Sequence, residues 1–175
     1  MILDMQAAFC FSQPITVDGS TSMAWTAGTH NAGFQNLGYI DLGAMDAFAL
    51  NTNTGTVKMG VGKDLYLISL LTVAMNDHPT TPVATLTPIL QTADDAAFGS
   101  NLTTVLAQTA FAAHTVAGTR RVNALPADFD YRRYLRMLFT VGGGPLTAGT
   151  ISCWLSLDFP TAKTFYPDRM SIIAG

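Results

Sequence analysis

Glutamate is missing from this sequence: all twelve acidic residues are Asp. Glu suits helix interiors, whereas Asp competes with the backbone for hydrogen bonds and favours turns and caps. Charge as a whole is scarce, at 12% of residues, against roughly 25% in an average soluble domain. Cysteine occurs twice, as Cys10 and Cys153, which is no disulfide framework. Cys153 lies in a strand pattern, where a buried inert thiol is the common case; a bridge to Cys10 is the alternative. The longest uncharged apolar run, Leu65 to Met75, is too short to cross a bilayer as a helix. The opening MILDMQAAFCF has an Asp and no basic stretch, so it does not read as a signal peptide. The expectation is a protein made in a cytoplasm that stays soluble.

Chemistry-bearing motifs are equally scarce. GTVKMGVGKD, residues 55–64, resembles a phosphate loop, but Val57 and Asp64 hold the places of its first Gly and its Ser/Thr. A strand pattern follows where that motif needs a helix N-terminus. His30, His78 and His114 stand apart from other ligand types, and no HxH or HExxH occurs. No GxSxG elbow is present. Asp94 and Asp95 are adjacent, and adjacent strand residues point apart, so they read as turn or cap residues rather than an acid–base pair. Asp128 and Asp130 lack the Gly-containing loop of a calcium site; neutralising nearby arginines is the simpler role. The sequence therefore predicts no catalytic residue, no cofactor and no metal site, and argues against an enzyme.

What is present is strand. Hydrophobic residues make up 49% of the chain, mean hydropathy is +0.29, and abundant Thr fits a pleated, half-buried surface. DLYLISLLTVAM (64–75) is apolar on both faces, as in a strand inside a sandwich. VATLTPILQT (83–92) is a second strand, with Pro88 placing it at an edge or bulge. LTTVLAQTAF (102–111) fits a strand or a short helix, and strand is favoured because Thr103, Thr104 and Val105 are β-branched. NLGYIDLG (36–43) and TRRVNAL (119–125) are shorter strands. RYLRMLFTV (133–141) puts Leu135, Met137, Phe139 and Val141 on one face. TISCWLSLD (150–158) does the same with Ile151, Cys153, Leu155 and Leu157, and Trp154 opposite. The GGGP between them supplies a turn, so the pair reads as a β-hairpin. One further strand is expected at Pro14–Val17.

This is an all-β pattern of about eight strands: a sandwich, a jelly roll or a barrel. Residues 1–35 read as an extended N-terminal arm, 36–160 as the β-domain and 161–175 as an irregular C-terminal tail. Net charge −3 and a pI near 5.3 give no general attraction to nucleic acid or to an anionic membrane, so neither is an expected partner. So little charge fits a surface partly covered by partner subunits, or one dressed in Thr, Ser, Asn and Gln. Arg120–Arg121 and Arg132–Arg133 are adjacent pairs, with Arg136 beyond. Consecutive strand residues face opposite sides, and arginine is enriched at interfaces. The five arginines are therefore candidate interface residues, or else local partners of Asp128 and Asp130.

Several segments resemble the jelly-roll cement, or decoration, proteins of tailed-bacteriophage capsids. They are YIDLG (39–43), GKDLYLISLL (62–71), LQTADDAAFGS (90–100), VAGTRRVNALP (116–126) and RRYLRMLFTVGGGPLTAGTISCWLSLD (132–158). Order and gaps are similar over about two-thirds of the chain; residues 44–60 and the start of the chain depart by apparent insertions. The resemblance implies a jelly roll that forms a homotrimer on the outside of an icosahedral virion. There it would clamp neighbouring major capsid protein subunits at threefold and quasi-threefold positions, with no catalytic residues. Phe9, Phe11, Trp25, Phe165 and Tyr166 are then candidate anchors, ordinary packing being their other role. A carbohydrate-binding jelly-roll module is the alternative reading, with Trp25, Trp154, Tyr131 and Tyr134 stacking on sugars.

Overall fold

The alternation written into RYLRMLFTV becomes strand β11 (Tyr134–Gly142), and Leu135, Met137 and Phe139 are all fully buried. Each such side chain contributes about 1.5–3 kcal/mol by leaving water. The computed structural model describes residues 8–15, 23–26, 39–43, 56–57, 64–77 and 84–157. Within them lie β1 (Ala8–Pro14), β2 (Met23–Thr26), β3 (Tyr39–Asp41), β4 (Thr56–Val57), β5 (Tyr66–Asp77) and β6 (Thr85–Ala93). Then come β7 (Thr103–Ala107), β8 (Phe111–Ala112), β9 (Arg120–Ala124), β10 (Tyr131–Arg132), β11 and β12 (Leu146–Ser156).

Among the described residues all strand pairing is antiparallel. One large sheet runs β1-β12-β5-β9; the other runs β2-β11-β6-β7, with β3 also on β11 and β8 also on β6, and β4 and β10 form a small two-stranded sheet of their own. Leaving aside the short β4 and β10, the chain therefore switches sheets between β1 and β2, β3 and β5, β5 and β6, β8 and β9, β9 and β11, and β11 and β12. That order is the double Greek key of a jelly roll, so the expected all-β sandwich is what forms. The main core fills the space between the sheets with Phe9, Leu67, Leu71, Met75, Leu86, Phe111, Tyr131, Phe139 and Ile151 among its members. A second cluster, Ala8, Ile68, Leu70 and Trp154, lies on the other side of the β1-β12-β5-β9 sheet. It explains why 64–75 is apolar on both faces: β5 has β12 on one flank and β9 on the other, and packs on both sides.

Four expectations change. The 133–158 pair is no hairpin: β11 pairs with β6 and β12 with β5, so the glycine-rich turn crosses between sheets. Crossing sets the apolar face of β11 against that of β12 across the core, where a hairpin would have laid both on one sheet. Gly143 takes a φ of +80° in that turn, which a glycine adopts without steric cost. Second, an early strand runs over Ala8–Pro14, with Phe9 and Cys10 in the core; of the expected Pro14–Val17 strand, Pro14 ends this one, Ile15 lies outside it, and residues 16–17 lie outside the described residues. Within residues 1–35, Ala8–Pro14 and Met23–Thr26 thus serve as sheet strands.

Third, Pro88 sits in an interior strand, facing Phe139 on β11. Its carbonyl, on the opposite flank, accepts from the Gln108 amide at 2.9 Å. In antiparallel pairing a residue's N and C=O share one flank, so the missing N–H faces the break between β7 and β8, where no ladder bond is interrupted. Fourth, residues 102–111 hold not one strand but β7 and the start of β8, split at Gln108. Gln108 is buried, and its Nε2 donates to Leu67 O at 3.2 Å and Asn123 Oδ1 at 3.1 Å. One side chain thereby ties the two sheets together.

Candidate interaction face

The side chains best placed to meet a partner gather where β3, β10, β11, the end of β6 and the 94–102 turn converge. Register assembles them. Arg136 lies opposite Gln91 on one side and Tyr39 on the other, and Tyr134 lies opposite Ala93 and Asp41. The buried Thr92 hydroxyl clamps the β10–β11 junction, accepting from the Arg132 amide at 2.8 Å and standing 3.1 Å from the Tyr134 carbonyl. The Leu42 amide donates to Arg133 O at 2.8 Å. With the backbone fixed this way, consecutive arginines diverge as strand geometry requires.

Arg132 reaches Asp94 at 2.7 Å. Arg133 forms a two-pronged pair with Asp41, at 2.9 and 3.0 Å. Arg136 donates through Nε to Gln91 Oε1 at 2.9 Å and lies 4.4 Å above the Phe98 ring. Tyr39 packs edge-on against both Phe98 and Tyr134, with centroids 6.4 and 5.4 Å away, giving the arginines an aromatic floor. The 94–102 turn is held by Asp95, whose carboxylate accepts from the amides of Ala97, Gly99 and Ser100 at 2.9, 3.3 and 2.6 Å. Phe98 takes a φ of +58° in this turn, a conformation rare for a bulky residue, and that bend turns its ring under Arg136.

The electrostatics follow from these contacts. The Asn101 amide and then Arg132 hold the Asp94 carboxyl below the usual carboxylate range. The Gly99 amide leads the groups that lower Asp95. Asp41 raises the already high Arg133 guanidinium. Desolvation lowers Arg136, without neutralising a group of such high intrinsic pKa. Arg132 and Arg133 are thus neutralised, whereas among the described residues Arg136 has Gln91 and the Phe98 ring as partners and no carboxylate. The face thus sets oriented guanidinium groups beside packed aromatic rings, a combination of groups suited to binding a carboxylate.

The arginines do not form one patch. Arg120 and Arg121 lie on β9, at the edge of the other sheet. Arg121 stacks 4.8 Å over Phe111 and donates to the carbonyls of Thr109 and Ala110, both at 3.2 Å; it is an internal staple. Arg120 is half-buried beside it. The partners of Arg132 and Arg133 are Asp94 and Asp41, not the nearby Asp128 and Asp130 that sequence proximity suggested. Phe9 is fully buried and so packs the core rather than standing ready as an anchor, while Phe11 flanks the second cluster. Trp25 contributes its backbone to β2, opposite Phe139; Phe165 and Tyr166 lie outside the described residues. Tyr131 and Trp154, expected as sugar-stacking groups, are buried. Tyr39, Gln91 and Phe98 were missed by the sequence reading; their one signal was membership of YIDLG and LQTADDAAFGS. Among the described residues no His, Cys, Asp and Glu group of three or more is arranged to hold a metal ion.

Fold and face together define a jelly-roll sandwich carrying a structured polar–aromatic surface. The family described as Bbp16 matches residues 21–155, and the chain belongs to that family. No curated protein matches it.

Proposed function

We propose that this protein is a capsid cement: a structural, non-enzymatic virion component that binds the outside of an icosahedral phage shell as a homotrimer. It sits at threefold and quasi-threefold positions and ties neighbouring major capsid protein subunits together. The observation that carries this reading is the convergence of the resembling segments. YIDLG, LQTADDAAFGS and RRYLR are far apart in sequence, yet all three build the face around Arg136.

The mechanism is mechanical. A closed trimer offers the same face three times to a threefold surface. Three modest contacts act together, so avidity exceeds each one by orders of magnitude. A ligand that binds the assembled lattice but not its free subunits stabilises the lattice by mass action. Arg136 is the cation we assign to a capsid carboxylate, because its neighbours Arg132 and Arg133 already have theirs.

Light scattering on the purified protein tests the trimer, and co-sedimentation with expanded shells tests binding. The expected outcome is a trimer that pellets with shells and ignores free capsid subunits. Arg136→Ala should weaken shell binding roughly tenfold or more, the worth of a charge-assisted hydrogen bond. Arg136→Lys should restore little, because an ammonium cannot reproduce the planar fork. A monomer indifferent to shells would end the reading; a trimer binding equally well with Ala at 136 would end only the Arg136 assignment.

A further inference from the structure

Cys10 and Cys153 are 143 positions apart, yet they are direct partners in the antiparallel ladder of β1 and β12. Both are free and buried, and both belong to the core between the sheets. Residues opposite one another on antiparallel strands point to the same face, with Cβ atoms about 4.5–5.5 Å apart. A disulfide needs Cβ atoms about 3.5–4.5 Å apart. Closing one here takes an approach of roughly 1 Å. The backbone has slack for that movement. The register of β1 shifts on both sides of Cys10, between Ala8 and Cys10 and between Cys10 and Gln13. Ser12, two residues on, has a φ of +44°. We propose that Cys10 and Cys153 form an oxidisable pair that closes into a cross-strand disulfide, covalently locking the edge strand β1 to β12.

The oxidant is a small disulfide such as oxidised glutathione. Cys10 gives up its proton and its thiolate attacks one glutathione sulfur, breaking that S–S bond and releasing one glutathione thiol. The Cys153 thiolate then attacks Cys10 Sγ, expelling the second glutathione thiol. Two thiols are oxidised, one small disulfide is reduced, and the two cysteine protons end on the two released thiols. Access requires β1 to peel away, and β1 is an end strand of its sheet with β12 as its neighbour, so local opening is the natural gate. Desolvation, and then the neighbouring Cys10, push the Cys153 thiol well above its usual value. The folded pair therefore reacts slowly, and the bridge forms during opening or refolding.

The test unfolds the protein in denaturant and refolds it in a glutathione redox buffer, which removes the access barrier. The expected product is a chain two hydrogens lighter with no disulfide to another chain, whose non-reducing digest links the Cys10 and Cys153 peptides. Its melting midpoint should exceed that of the reduced form by roughly 5–15 °C, and a reductant should abolish the difference. Cys10→Ala and Cys153→Ala chains should show no redox-dependent midpoint. Glutathione adducts alone, intermolecular dimers, a native chain of unchanged mass, or a bridged chain that melts no higher would each overturn the proposal. None of these outcomes bears on capsid binding, so the two readings stand or fall separately.

Discussion

Asp95 shows how much of the interaction face rests on single side chains. One carboxylate satisfies three backbone amides of the turn that carries Phe98, and beside it Asp94 bridges Asn101 and Arg132. Both carboxyls are held below their ordinary value. A carboxyl with a lowered folded pKa favours the folded state fully above its unfolded value of about 3.9. That contribution is lost as pH falls through the lower folded value. The melting midpoint should therefore drop on acidification below about pH 4. In a pH series of thermal melts, Asp95→Asn should lower the neutral midpoint and make the acid fall shallower; an acid fall identical to that of the unchanged protein would contradict the assigned role. At this scale the sequence was partly legible. Adjacent Asp residues announced a turn, because Asx chemistry is local. The partner of Arg132 was not announced, because it lies 38 positions away and only the β6–β11 register brings it close.

Strands were the easier level. Alternation located β11 and β12 within a few residues, because one-sided burial leaves a period of two in the sequence. It did not say which sheet each would join. A glycine-rich link serves a hairpin and a sheet-crossing corner equally, and both strands carry one apolar face either way. Pro88 misled for a related reason: a proline reports a missing donor, not an edge strand, and the break at Gln108 removes the demand for that donor. Gly149 is the position where an element is most tightly constrained. Its φ is +133°, and a Cβ there would stand 2.6 Å from Ile15 Cδ1, 2.8 Å from Ile15 Cγ1 and 3.3 Å from Met75 Cα. Its carbonyl also accepts from the Ile15 amide at 3.1 Å. Gly149→Ala should cost about 1–3 kcal/mol in denaturant unfolding through overpacking and backbone strain. Adding Ile15→Val removes Cδ1, so the double variant should lose less than the sum of the two single losses. Strict additivity would mean that the clash is absent.

At the scale of the whole molecule, two sheets share one core, and the β1-β12-β5-β9 sheet has apolar side chains buried on both of its faces. Such a body is stiff and presents oriented groups at little entropic cost, which suits repeated docking on a lattice. The general architecture was readable because composition, Asp-rich turns and alternation all pointed to β-structure. The face around Arg136 was not, because it is assembled from three segments distant in sequence that only the folded topology brings together. The proposed role requires three copies of this jelly roll to clamp a shell from outside. Electron cryomicroscopy of the parent particle tests it most directly. Trimeric jelly-roll density is expected on the outer surface at threefold and quasi-threefold positions, with Arg136 against a capsid carboxylate. Particles whose threefold sites are bare, with this protein inside the shell, at another virion position or absent, would contradict it.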